Sequence, residues 1–241
     1  MKTVLVTRPI EEAGKLAKTL GTRGFRPLIE PLLTVTPLPE NTPALEAAMA
    51  LRPQLILVTS GRAIGLFAEM TNVRDIPLLA VGSASADHAA ALGFPVAGWQ
   101  ETAEALIASV AQDYAPANGR LLYIRGEDIT VDIAGGLEAK GFGVDSVILY
   151  RATPAQSLSG HCTAEMTKGN VAGALFFSQR TAETYANLVH KHGLKDAHRS
   201  MRGLCISEAV AGKLRLLPWH SLHSADKPDM EHMLAAAERI F

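Results

Sequence analysis

Four arginines stand where four apolar runs end. Arg8 closes Val4-Leu5-Val6-Thr7, and Arg62 follows Leu57-Val58-Thr59-Ser60-Gly61. Arg125 closes Leu121-Leu122-Tyr123-Ile124, and Arg180 follows Phe176-Phe177-Ser178-Gln179. In parallel α/β sheets, ligands collect where the strands end. A guanidinium placed there grips a carboxylate through paired hydrogen bonds. A cation at the start of the next helix is mildly unfavourable, by about 0.3–1 kcal/mol. One such Arg is an ordinary solvated side chain. Four in equivalent places predict a compensating anion. Small residues accompany them: Ser60, Gly82, Ser83, Ser85, Ser178 and Ser207. These leave room for close backbone approach, and helix N-terminal amides would add donors to the same anion. Each Ser taken singly is also an ordinary helix cap.

Several chemistries lack their residues. No GxGxxG follows a strand and no GxxxxGK[ST] occurs, so nucleotide phosphate cradles are unsupported. No GxSxG elbow is present. The eight histidines are scattered, and His190 with His192, or His220 with His223, have no acidic or Cys partner at metal-site spacing. The expectation is no metal and no cofactor. No carboxylate pair stands out for acid–base work; Glu127-Asp128 reads as the acidic start of a helix. Cys162 and Cys205 lie far apart and match no CxxC pattern; Cys205, in the apolar run Gly203-Leu204-Cys205-Ile206, reads as a small buried hydrophobe, a usage that fits a reducing cytoplasm.

Composition narrows the class further. The 241 residues are 48% hydrophobic and 20% charged, ordinary for a protein with a real core. The net charge of −1 provides no global field for nucleic acid. No apolar stretch approaches the ~18–20 residues of a membrane span. The apolar run at the start is cut off by Arg8-Pro9, too early for a signal peptide. A cytoplasmic protein without a membrane partner is expected.

The elements that position the arginines are repeated. Val4 to Pro37 and Leu121 to Pro154 align without a gap. Arg8 then falls on Arg125, Leu20 on Leu137, Gly24-Phe25 on Gly141-Phe142, and Thr36-Pro37 on Thr153-Pro154. Each copy reads as a strand ending in Arg, a helix stopped by Gly, and a second strand running into Thr-Pro. The stretches after the two copies are also similar. A helical stretch leads to Leu55 to Ser60 with a helix from Arg62, or to Ala174 to Gln179 with a helix from Thr181. Leu78 to Phe94 and Gly203 to Trp219 each read as a buried strand, a small-residue turn and a helix. Strands alternating with helices imply parallel sheets covered on both faces, an α/β class. The pattern admits two arrangements. Each half-chain could hold its own sheet of about five strands. Alternatively the Thr-Pro segments, near 33–38 and 150–155, pair as linkers. Residues 1–36 then join 154–241 in one domain, and 38–151 form the other.

The ordered set Thr7–Pro9, Leu57–Ala63 (LVTSGRA), Ala80–Ala86 (AVGSASA), Leu121–Gly126 (LLYIRG), Ile148–Pro154 (ILYRATP) and Phe176–Tyr185 (FFSQRTAETY) resembles the uroporphyrinogen-III synthase family across nearly the whole chain. The resemblance implies the second arrangement: two similar parallel-sheet α/β domains joined by a two-stranded linker, with the active site in the cleft between them. It implies a monomeric lyase without cofactor that acts on hydroxymethylbilane, a linear tetrapyrrole with eight carboxylates. Loss of hydroxide from the ring A hydroxymethyl group gives an azafulvene. Attack by the substituted carbon of ring D gives a spiro intermediate, and reclosure leaves ring D inverted. The task is then chiefly one of folding a flexible substrate. Tyr150 matches the family's candidate for assisting the departing hydroxyl, against an alternative of simple packing at a domain edge. The strand-end reading places Arg8, Arg62, Gly82, Ser83, Arg125, Arg180 and Ser207 at the substrate, and the resemblance matches Ser60 and Ser178 to positions lining the cleft. One departure is Ser207-Glu208-Ala209-Val210, where the family commonly has a Gly-Pro-Thr-like turn. A two-lobe binding module for a small anionic ligand fits the same arginines. A sugar- or nucleotide-using transferase is disfavoured by the missing phosphate loop.

Overall fold

A computed structural model describes residues 1–241. The chain opens with β1 (Lys2–Val6), α1 (Ile10–Thr22), β2 (Phe25–Ile29) and β3 (Leu33–Pro37). Then come α2 (Thr42–Ala50), β4 (Leu55–Val58), α3 (Gly61–Met70), β5 (Leu78–Val81), α4 (Ser83–Ala91), β6 (Val96–Gln100) and α5 (Ala103–Asp113). β7 (Leu121–Gly126), α6 (Ile133–Glu138) and the long β8 (Val144–Pro154) follow. The last third holds α7 (Gly160–Thr167), β9 (Val171–Phe176), α8 (Gln179–Lys191), β10 (Arg202–Cys205), α9 (Glu208–Gly212), β11 (Ser221–Ser224) and α10 (Met230–Ile240).

Two compact units result. One comprises Met1–Thr34 with Thr153–Phe241, the other Val35–Ala152. The first unit's sheet runs β2-β1-β9-β10-β11, all parallel. The second runs β8-β7-β4-β5-β6, also parallel, with β3 added beyond β8. Under the repeat, β1 corresponds to β7 and β2 to β8, so the two sheets share one strand order. β3 pairs β8 in opposite direction: Leu38 N donates to Leu149 O, and Ala155 N to Leu32 O. The boundaries between the two units fall within these two strands, after Thr34 and after Ala152.

The inner strands β4, β5 and β9 are apolar because both faces are covered, whereas the edge strands β3 and β11 carry polar residues. In β4, Ile56 and Val58 enter a core with Ile64 and Phe67 of α3, while Leu55 and Leu57 face Leu106 and Val110 of α5. β1 divides likewise, Val4 and Val6 toward α1 and α10, Leu5 toward α7 and α8. Alternation of side chains across a strand makes this unavoidable.

One expected helix start moves. Glu127-Asp128 do not begin a helix; α6 starts at Ile133, where Asp132 Oδ1 accepts from Gly135 N at 2.9 Å. Gly135-Gly136 make this copy's helix weak, and Glu127 is held instead by Arg151 through hydrogen bonds of 2.5 and 2.7 Å.

The first unit carries a buried polar contact beneath its apolar helices. Tyr185 and His198 are fully buried, with Tyr185 Oη 2.9 Å from His198 Nε2 and His198 Nδ1 3.0 Å from Leu194 O. A neutral imidazole fits both: Nδ1–H donates to the carbonyl and Nε2 accepts the phenol. Tyr185→Phe orphans Nε2, and urea unfolding should show a loss of about 1–3 kcal/mol; an unchanged midpoint would refute the assignment. Burial also lowers the His198 pKa from 6.5. The unfolded chain therefore binds this proton more readily, and His198 lowers stability as the pH falls below 6.5.

Candidate functional site

A doubly wound sheet opens a crevice at its carboxyl edge where the strand order reverses. In the second unit that point lies between β4 and β7; in the first, between β1 and β9.

At the β4/β7 edge, three residues singled out in the sequence come together. Ser60 caps α3, its Oγ accepting from Arg62 N at 3.2 Å. Tyr150 reaches across from β8 and its phenol donates to the same Oγ at 3.2 Å. The Arg62 guanidinium carbon lies 5.8 Å from the Tyr150 ring centroid. The phenol can lie flat here because Gly126 has no side chain. A Cβ at 126 would stand 2.7 Å from Tyr150 Cζ and 3.0 Å from Oη. A register shift between Arg125 and Gly126 sets Gly126 opposite Tyr150, and Glu127 N donates to Tyr150 O at 2.9 Å.

Arg125 supports that turn from its side. Its Nε donates to Ser146 Oγ, and its Nη1 to the carbonyls of Gly126 and Glu127, each at 2.9 Å. Behind the strand end, the buried Tyr123 hydrogen-bonds Thr59; burial raises its pKa, opposed by that bond. Gly82 and Ser83 lie one strand further out, after β5. Gly82 adopts φ +82, which favours glycine, and its N donates to Gln100 O at 2.8 Å.

At the β1/β9 edge, Thr7 Oγ1 donates to Leu175 O at 2.7 Å. Arg8 pairs with Glu12 on the next turn of α1, and its guanidinium carbon lies 4.7 Å above the Phe177 ring. The pairing of Val6 with Leu175 brings these two strand ends side by side. Burial lowers the Arg8 pKa, since removing water disfavours the charged form; a second carboxylate would restore favour to it. Ser178 caps α8, accepting from Thr181 N at 3.1 Å. Arg180 lies in the first turn of α8, beside a 420 Å³ groove that also meets Gln156, Thr184, Asn187 and Lys191. Ser207 precedes α9 after β10. The charge of Glu208 in the departing turn is balanced by Arg215, and Ser224 Oγ donates to it at 3.0 Å.

Two participants escape the sequence. Gly126 is signalled there only by its place opposite Pro9 in the repeat. Phe177 is hidden in a strand-end aromatic pair, Phe176 turning into the core and Phe177 toward Arg8. Neither cysteine contributes: both are buried, and burial pushes each thiol up to about 12, which leaves them protonated and unreactive. No group of three or more His, Cys, Asp or Glu comes together as a metal site, and no helix is long and apolar enough to cross a membrane.

A family model described as uroporphyrinogen-III synthase HemD matches residues 14–235. Among solved structures, a mutant uroporphyrinogen III synthase from Thermus thermophilus aligns with a TM-score of 0.66 and 18% identity, over 100% of this chain and 98% of that one. The uroporphyrinogen-III synthetase of Helicobacter pylori gives 0.65 and 16%, over 100% of both chains. At these identities the structural likeness is one of fold. No curated protein matches by sequence.

Proposed function

The chain belongs to the uroporphyrinogen-III synthase family, cyclising lyases of tetrapyrrole biosynthesis that act on hydroxymethylbilane, and from that premise we propose how its residues divide the work. Arg8, Arg62 and Arg180 receive substrate carboxylates at the sheet edges of the two units. Ser60, Gly82, Ser83, Ser178 and Ser207 admit the substrate close to the backbone and the helix N-terminal amides. Arg125 helps by fixing the Gly126–Glu127 turn with two hydrogen bonds, to the Gly126 and Glu127 carbonyls, and is itself held by a third to Ser146 Oγ. Tyr150 stands at the ring A hydroxymethyl group and supplies a proton as hydroxide leaves. Binding energy spent on eight carboxylates holds ring D so that its substituted carbon, and not the neighbouring free carbon, meets the azafulvene.

The observation that carries this reading is the convergence of Ser60, Arg62 and Tyr150 at one switch point. We further propose that the chain works as a cytoplasmic monomer without a nucleic-acid partner, in keeping with its net charge of −1. Freshly prepared hydroxymethylbilane closes unaided to the type I isomer. Adding the protein should switch the product to type III. Type I product alone, at every protein concentration, would refute the activity. Saturable binding without isomer control would place the chain with two-lobe anion binders instead.

A further inference from the structure

The Ser60 hydroxyl holds an unusual position in the cluster. A hydroxyl has two acceptor lone pairs and one proton to donate. Arg62 N–H and the Tyr150 phenol both point at Ser60 Oγ, each at 3.2 Å. Both of its acceptor positions are thereby used within the protein. The capacity that neither neighbour takes is its own proton. Tyr150, by contrast, commits its proton to Ser60, and its ring lies against Gly126 on one side. In this arrangement the phenol does not itself present a proton to a ligand; the serine does.

We propose that Ser60 is the catalytic residue that hands the proton to the departing hydroxyl, and that Tyr150 acts through it as a positioning residue and proton reservoir. The inference rests on the synthase reading above and refines the part assigned there to Tyr150. The steps balance. The C–O bond of the ring A hydroxymethyl group breaks, and its electron pair leaves with oxygen. That oxygen takes the Ser60 proton and becomes water. Ser60 Oγ takes the Tyr150 proton in the same event, so no free alkoxide forms. The substrate is left as an azafulvenium cation and Tyr150 as a phenolate, with the Arg62 guanidinium nearby. When ring closure ends with loss of a proton from the terminal pyrrole carbon, the phenolate is reprotonated. The net change is loss of one water.

The hydroxyl can be removed with little harm to the helix, because Gly replaces Ser at an N-cap at small cost. Ser60→Gly should lower kcat for type III formation about a hundredfold, as loss of a general acid does, with KM nearly unchanged. Ser60→Thr should restore most of it. Tyr150→Phe should lower kcat in the wild-type background and have no further effect in Ser60→Gly. A second measurement does not depend on the folding of the glycine variant. In mixtures of light and heavy water, the wild-type rate should curve with deuterium content, as two protons in flight require, and Tyr150→Phe should give a straight line.

Equal kcat in Ser60→Gly and wild type would overturn the relay. So would Tyr150→Phe lowering the rate by the same factor with and without Ser60, or a straight line in the wild type. Those results come from a protein that still makes type III product. Failure of the synthase reading itself would show as type I product from the wild type.

Discussion

Gly126→Ala should cut type III turnover about a hundredfold and leave the fold standing. The added methyl would stand 2.7 Å from Tyr150 Cζ, 2.9 Å from Cε2 and 3.0 Å from Oη. Carbon atoms do not approach so closely, and the phenol must slide off Gly126 by an ångström or so. Its hydrogen bond to Ser60 Oγ is already 3.2 Å long and has no slack. Displacements of about 1 Å at a reacting group cost on the order of 10²-fold. The backbone at Gly126 does not need positive φ, so alanine itself is tolerated there. Circular dichroism and thermal unfolding close to wild type, with kcat strongly reduced, is the expected result. Turnover within a factor of two of wild type would mean that the seat of Tyr150 on Gly126 is unimportant for the chemistry.

Gly173→Ala should act in the opposite way, on stability before turnover. Gly173 lies in β9, between β1 and β10. A Cβ there would overlap the Phe241 ring at Cε1 and stand 2.6 Å from the Arg202 carbonyl oxygen. The first obstacle is a ring closing the core beside α1 and α10; the second is backbone in the neighbouring strand and cannot rotate away. Overpacking of this kind costs about 1–3 kcal/mol or more. For a chain of this size that is a fall of roughly 2–12 °C in melting temperature. Combining it with Phe241→Ala should recover little, because Arg202 O remains. Full recovery in the double variant would show that the ring alone is responsible.

The repeat makes the fold readable. Once Arg8 falls on Arg125 and Thr36-Pro37 on Thr153-Pro154, corresponding strands are defined, and they occupy corresponding places in both sheets. Boundaries are less readable. The helix expected from Thr181 starts at Gln179, and that expected at Glu127 starts at Ile133. In the second case a tertiary partner, Arg151, takes the acidic residue that would have opened the helix. Positions of site residues along the chain are legible because strand ends are marked by a change from apolar to small and charged residues. Directions of their side chains are not. Arg125 turns back on its own turn, whereas Arg8 lies over Phe177. A guanidinium at a strand end has several partners within reach, and packing against neighbouring elements selects among them.

The first unit draws on both ends of the chain, and this governs the order in which the protein can be made. During synthesis β1, α1 and β2 emerge first, yet β1 lacks its other neighbour until β9, beginning at Val171, leaves the ribosome. The second unit, ending at Ala152, is complete by then and can fold as a block while the N-terminal piece waits with an open strand edge. A stalled or truncated nascent chain would therefore release one finished unit carrying an unsatisfied β-α-β fragment, the form of this polypeptide most exposed to chaperones and to self-association.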